Sequence, residues 1–166
     1  MIARAEDIVQ RYWDAWSIRD TTTALACLAD NVELTVHIPQ DTLPFGGLTV
    51  GRAAVSDRMQ SSIEQFERLY YIATIIAVDA RSVRGQISFR VRHRMTGEII
   101  DGIARQVFEV KNGLITRIEE YHDTERLKAF MRLVSSTAAD QRSAYVLSAQ
   151  TGSMQGYRSG HGPRIE

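Results

Sequence analysis

The chain has 166 residues, 20 basic and 20 acidic side chains, and a sequence pI ≈ 6.9. That length suits one domain with an ordinary hydrophobic core, and the balanced charge gives no basic footprint for nucleic acid or an anionic membrane. No apolar run approaches the roughly 20 residues that span a bilayer. With one cysteine, Cys27, and no leader-like N-terminus, a soluble cytoplasmic protein without an internal disulfide is expected.

From Glu6 to Ile18, the residues Val9, Tyr12, Trp13 and Trp16 fall at helical spacing, which predicts a first helix with an aromatic face. Asp20 to Thr23 offer N-caps for a short second helix over Ala24 to Ala29, with Leu25 and Leu28 inward and Cys27 as a packing residue. Val32 to Ile38 alternate as a strand, turning Leu34 and Val36 inward and His37 outward. Pro39 to Thr49 contain Pro39, Pro44 and Gly46-Gly47, the punctuation of an ordered loop, and this loop carries Phe45. Gly51 starts a third helix whose Val55, Met59, Ile63 and Phe66 read as core.

Tyr70 to Val78 and Arg81 to Met95 are rich in β-branched and aromatic residues and are predicted to be strands. In the longer one, Val83, Gly85, Ile87, Phe89, Val91 and His93 share one face, and Arg84, Arg90, Arg92 and Arg94 share the other. The arginine row is expected outside, neutralised by Asp101, Glu109 and Glu119 of the next two strands, on a solvated or dimer-forming surface. A two-residue Asn112-Gly113 turn then joins Ile99–Val110 to Leu114–Asp123, a strong hairpin signal. Ile100, Gly102, Ala104, Gln106, Phe108 and Val110 form the uncharged face of the first strand, so they are placed inside. If the second strand keeps phase, Ile118, Glu120 and His122 join them there. Asp123 can cap a short terminal helix with Leu127, Phe130, Met131 and Val134 as its stripe. Beyond Ser135 the composition changes, and Ser, Gly and Gln dominate Ser148 to Gly162, so a domain over 1–134 and a tail or arm over 135–166, which holds His161, are expected.

The stretches IVQRYWDAW (Ile8 to Trp16), LADN (Leu28 to Asn31), PFGGLTVGRAAV (Pro44 to Val55) and FEVKNGLITRIEEYHD (Phe108 to Asp123) occur in the order helix, helix, strand, helix, four strands. This pattern resembles the nuclear transport factor 2-like superfamily, which includes ketosteroid isomerase, limonene epoxide hydrolase and the SnoaL-like polyketide cyclases. The resemblance implies a cystatin-like α+β fold: a curved, mostly antiparallel sheet wrapped as a cone around the N-terminal helices. It also implies a small hydrophobic ligand and a homodimer. Tyr12 matches the tyrosine that donates to the dienolate in ketosteroid isomerase, whereas that enzyme's catalytic aspartate falls on Val36 and its protonated aspartate on Gln106. The arginine and first aspartate of limonene epoxide hydrolase fall on Ile87 and Phe89, and its second aspartate on Glu120. Neither catalytic set is complete, so epoxide opening by that triad is not expected.

Glu120 and His122 are the candidate catalytic pair, with Tyr12 and Gln106 as donors to a carbonyl oxygen that gains negative charge. Among Ile118, Phe108, Phe89 and Trp13 the carboxylate would lose hydration, and its pKa would rise. The structural alternatives are a rim glutamate paired with an arginine or turned outward by a bulge, a histidine satisfying a backbone group, and Tyr12 and Gln106 as packing and anchoring residues. Trp13 and Trp16, Leu34 and Val36, Phe45, Met59 and Ile63 are expected to wall the pocket, as are Ile87, Phe89, Val91 and His93, and Gly102, Ala104, Phe108 and Ile118. No HxH, HExxH or paired-cysteine spacing is present, so neither a metal nor a cofactor is expected. Two functions fit. One is a cofactor-independent acid–base enzyme (isomerase, cyclase or dehydratase) acting on a small hydrophobic carbonyl compound; the other is a non-catalytic small-molecule binder or dimerisation module of the same fold.

Overall fold

A computed structural model describes residues 3–154. In chain order the elements are α1 (Ala5–Ser17), α2 (Thr21–Ala26), β1 (Leu28–Val36), β2 (Gly47–Val50), α3 (Arg52–Gln65), β3 (Phe66–Val78), β4 (Val83–His93), β5 (Ile99–Lys111), β6 (Leu114–Tyr121) and α4 (Thr124–Met154). The strands form one open sheet in the order β2-β1-β6-β5-β4-β3, antiparallel throughout except for the parallel β1–β6 pair. This is the expected α+β architecture. No helix among the described residues is long and apolar enough to cross a membrane.

The aromatic face of α1 explains how the sheet is covered. Val9, Tyr12, Trp13 and Ala15 are buried, and Tyr12 and Trp13 meet the Phe108 ring edge-on at 5.9 and 5.4 Å. Gly85 makes this approach possible, because any β-carbon there would overlap the Trp13 ring. A first apolar cluster joins α1 and α2 to Leu28, Val32, Val83, Phe108, Ile115 and Ile118. A second joins Val36, Ile38 and Leu43 to Phe66, Ile100 and the Leu127, Phe130 and Val134 stripe of α4.

The hairpin register departs from simple counting in one place. Asn112 (φ 52°) and Gly113 (φ 75°) adopt the left-handed conformations of a tight hairpin turn, and Val110 pairs with Ile115. Continued unbroken, that register would bring Arg117 and Glu119 opposite Phe108 and Gln106, on the core side. A bulge at Thr116 prevents this: Glu109 pairs with Arg117, Phe108 with Ile118 and Gln106 with Glu120. Ile115 before the bulge and Ile118 after it are therefore both fully buried, although their parity differs.

Other expectations need correction. Gly47–Val50, read as loop, forms the edge strand β2 against β1, because Leu48, Thr49 and Val50 extend as soon as the glycines have turned the chain. β1 begins at Leu28, four residues before the predicted start, and β3 begins at Phe66, which leaves the α3 face. The terminal helix does not stop near Ser135 but continues to Met154; residues 155–166, including His161, lie outside the described residues. On the outer surface the β4 arginines take their acids from the β3 side, Arg84 with Asp79 at 2.8 Å and Arg92 with Glu67 at 2.9 Å. The acids expected to meet them are engaged elsewhere: Asp101 with Arg126, Glu109 with Lys111 and Arg117, and Glu119 with Arg117 and His37.

Candidate active site

Between the two apolar clusters lies a cavity of about 180 Å³, room for a small ring compound rather than one water. Its polar floor comes from β5 and β6, where Gln106 and Glu120 are direct register partners. Trp13 Nε1 donates to Gln106 Oε1 at 2.8 Å, and an indole N–H has no acceptor capacity, so the amide orientation is fixed. The Gln106 Nε2 amide therefore faces Glu120 and donates to Oε2, while Oε1 of the same carboxylate pairs with His122 Nε2. The His122 ring is packed edge-on against Phe89 at 5.7 Å. Both carboxylate oxygens are thus held, yet the Glu120 side chain keeps 21% of its surface accessible and lines the cavity.

This environment corrects the expected direction of the Glu120 pKa. Burial acts to raise it, but the charge and hydrogen bond of His122, the Gln106 amide and the Arg58 charge outweigh burial and hold it below its ordinary value. Glu120 is therefore a carboxylate at neutral pH. Tyr12 moves the opposite way, pushed well above the usual phenol range by burial and then by the Glu120 charge, so it remains a neutral hydroxyl. Tyr71 is raised for the same leading reason, with Tyr12 and Glu120 adding to it.

Tyr12, Gln106, Glu120 and His122 all line the cavity, as do Trp16, Leu34, Val36, Phe45, Met59, Ile87, Phe89, Val91 and Ala104. Six expected wall residues do not. Trp13, Phe108 and Ile118 are sealed in the core behind the wall, at most 1% exposed. The Phe89 ring lies over Gly102, which instead borders a second pocket together with Asp101, Ile103 and Arg126. Ile63 stays on α3 away from the space, and His93 holds the β4–β5 turn, its Nδ1 3.0 Å from Thr96 Oγ1. His37 lies on the outer side as expected, stacked on Tyr121 at 4.2 Å.

Several lining residues escaped the sequence reading. Arg58 sits three positions after Val55 on the inner side of α3, a spacing that could have revealed it; Nη1 donates to Thr49 Oγ1 at 2.6 Å. Arg68 lies between Trp16 and Tyr71, 4.6 and 4.5 Å from their ring centres, and donates to the Trp16 and Ser17 carbonyls at the end of α1. Burial and the nearby Arg19 charge lower its pKa to about 10. Arg19 Nη2 donates to Phe66 O at 2.9 Å. Leu127, Phe130 and Met131 of α4 roof the space, a tertiary contact with no local signature.

The family model described as a SnoaL-like domain matches residues 9–118. No curated protein matches the chain. Among solved structures, the chain is similar to a provisionally named isomerase from Rhodopseudomonas palustris (19% identity, TM-score 0.66, covering 80% of this chain and 98% of that one). It is similar also to a provisionally named polyketide cyclase from Xanthomonas campestris pv. campestris (22% identity, TM-score 0.62, covering 76% and 96%). A third is TerC co-crystallised with polyporic acid (14% identity, TM-score 0.65, covering 76% and 96%). At these identities the likeness is one of fold.

Proposed function

The chain belongs to the SnoaL-like domain family, and from that premise we propose that its cavity performs cofactor-independent acid–base chemistry on a small hydrophobic carbonyl compound. The observation that carries this reading is an ionised carboxylate, Glu120, with both oxygens held by Gln106 and His122, facing a cavity walled largely by apolar side chains. A carboxylate retains lone pairs beyond those two bonds and can take a proton from the carbon beside a carbonyl. The electron pair of the broken C–H bond then moves onto the carbonyl oxygen, where the Tyr12 hydroxyl donates to it. Returning the proton to another carbon gives isomerisation. Attack of the enolate carbon on a second carbonyl, whose oxygen takes the proton back from Glu120, gives cyclisation, and expulsion of a β-hydroxyl, which leaves as water with that proton, gives dehydration. Gln106 gives one amide hydrogen to Glu120, which positions the base, and its second N–H is the further donor to the oxyanion.

Glu120→Gln keeps the shape and removes the base, and turnover of an identified substrate should fall by about 10²- to 10⁴-fold. Unchanged turnover would end the assignment. A ligand that binds and leaves unaltered after long incubation would favour the non-catalytic binder, a reading that the apolar Val36, Ile87 and Phe89 of the wall also support.

The same proposal includes a cytoplasmic homodimer formed by the outer sheet face, where Ile72, Ile76, Ile99 and Ile103 are exposed. The domain then comprises residues 1–134, and the part of α4 beyond it forms an arm offered to a partner copy. Light scattering on the full chain and on a chain ending at residue 134 tests both points; monomer alone in each case would refute the dimer.

A further inference from the structure

The cavity described above holds more positive charge than its chemistry requires. Arg19, Arg58 and Arg68 line it, and Glu120 is the one acid among its lining residues, already engaged by His122 and Gln106. Among the described residues none of the three arginines forms a salt bridge. Each is instead tethered by one side of its fork to backbone or hydroxyl oxygen: Arg19 to Phe66 O, Arg58 to Thr49 Oγ1, and Arg68 to Trp16 O and Ser17 O. Capping the carbonyls that end α1 and α3 accounts for the tethered nitrogens of Arg68 and Arg19. It does not account for the others. Among the described residues, Arg19 Nη1, Arg58 Nη2 and Tyr71 Oη are buried without any hydrogen-bond partner, and all three residues belong to the cavity wall.

Buried donors without acceptors are rare in native proteins and call for an unseen water, ion or ligand. Burial weakens the charged form of all three arginines, and for Arg68 the proximity of Arg19 adds to it, so an anion among them would relieve a real penalty. The backbone adds an independent sign. Arg19 has φ 61°, the left-handed region in which a side chain is disfavoured and glycine is the usual occupant after a helix. An arginine is kept there all the same, and its guanidinium returns to the cavity.

We propose that the ligand of this cavity is an amphipathic anion, an apolar ring or chain bearing a carboxylate-type planar oxyanion that Arg19, Arg58, Arg68 and Tyr71 receive. The proposal rests on the reading of this cavity as the substrate site and narrows its substrate class. Leu34, Val36, Ile87, Phe89 and Phe130 accept the apolar body, while the forks of rigidly tethered guanidiniums match a planar two-oxygen group. Arg58 also lies within electrostatic reach of Glu120, so the anion end and the base end belong to one continuous site.

The test compares 2-naphthoate with its neutral isostere 2-naphthamide on the full chain, by calorimetry and by the fluorescence of Trp16 in the wall. Naphthoate should bind at least about tenfold tighter than the amide, as for a charge-assisted contact. Arg58→Met and Arg19→Gly should each reduce that preference several-fold. Arg19→Gly suits the φ 61° backbone and so keeps the test available if Arg58→Met proves unstable. Equal affinities for the two probes, no naphthoate binding at millimolar concentration, or a preference that survives in a folded Arg19→Gly or Arg58→Met protein would each overturn the proposal. Glu120→Gln should keep or sharpen the naphthoate preference, so the anion site and the general base fail or stand separately.

Discussion

Gln106 links the core to the carboxylate, and replacing it with leucine should disturb both. The change leaves Trp13 Nε1, which donates to Gln106 and is sealed from solvent, without its acceptor, and removes the amide that holds Glu120 Oε2. A buried donor left unpaired costs about 1–3 kcal/mol. At about 2–4 °C per kcal/mol for a chain of this size, melting should fall by roughly 2–12 °C. The source of that loss can be isolated with Trp13→Phe, which deletes the indole N–H. Packing lost against Phe108 and Gly85 is common to both backgrounds, so it cancels in the double-mutant cycle. A coupling of about 1 kcal/mol between the two positions is expected from urea denaturation. Gln106→Leu also removes one of the influences that lower the Glu120 pKa, so the acidic limb of any pH–rate profile should move to higher pH. Additive effects, with coupling below about 0.3 kcal/mol, together with an unmoved limb would refute the relay from Trp13 through Gln106 to Glu120.

Stability should depend on pH through the same carboxylate. Its folded pKa is depressed, so its contribution is present above the unfolded carboxylate value and is lost as pH falls through the folded one; urea midpoints from pH 7 to pH 3 should drop less steeply in Glu120→Gln than in wild type. Gly85→Ala should destabilise by about 1–3 kcal/mol, because the new methyl overlaps the Trp13 ring and an overpacked core must shift; a melting temperature unchanged from wild type would contradict the packing described. Ile103→Asp, on the exposed outer face, should convert the proposed dimer to monomer in light scattering without lowering the monomer's melting temperature.

The strand periodicities and the Asn112-Gly113 turn made the β4–β6 part of the sheet legible before any coordinates, and the pairing of Glu120 with His122 was legible with it. The reason was partly fortunate. Glu120 faces the cavity because Thr116 is bulged, and a bulge leaves no mark in an alternating pattern; strict pairing from the turn would have nominated Glu119. The direction of the Glu120 pKa was misread because sequence shows which apolar residues might surround a carboxylate, not which donors reach it. Arg58, Arg68 and Tyr71 remained hidden for a similar reason. Each lies in a stretch where its side chain reads as solvent-facing; distant oxygens tether the two arginines inward, and the Tyr71 ring packs against the Arg68 guanidinium. Arg19 follows the last turn of α1, and only its left-handed backbone sends it back to the cavity. The α4 helix was cut short because Ser, Gly and Gln composition argued against order beyond Ser135.

The central claim is that Glu120 is an ionised base held by His122 and Gln106. It is tested most directly by a carbon-13 NMR titration of the chain labelled at its glutamate carboxyl carbons, with the Glu120 signal assigned by its loss in Glu120→Gln. This carboxyl should titrate below the ordinary glutamate range and move upward in Gln106→Leu. A titration above that range would make Glu120 a buried acid and contradict the account.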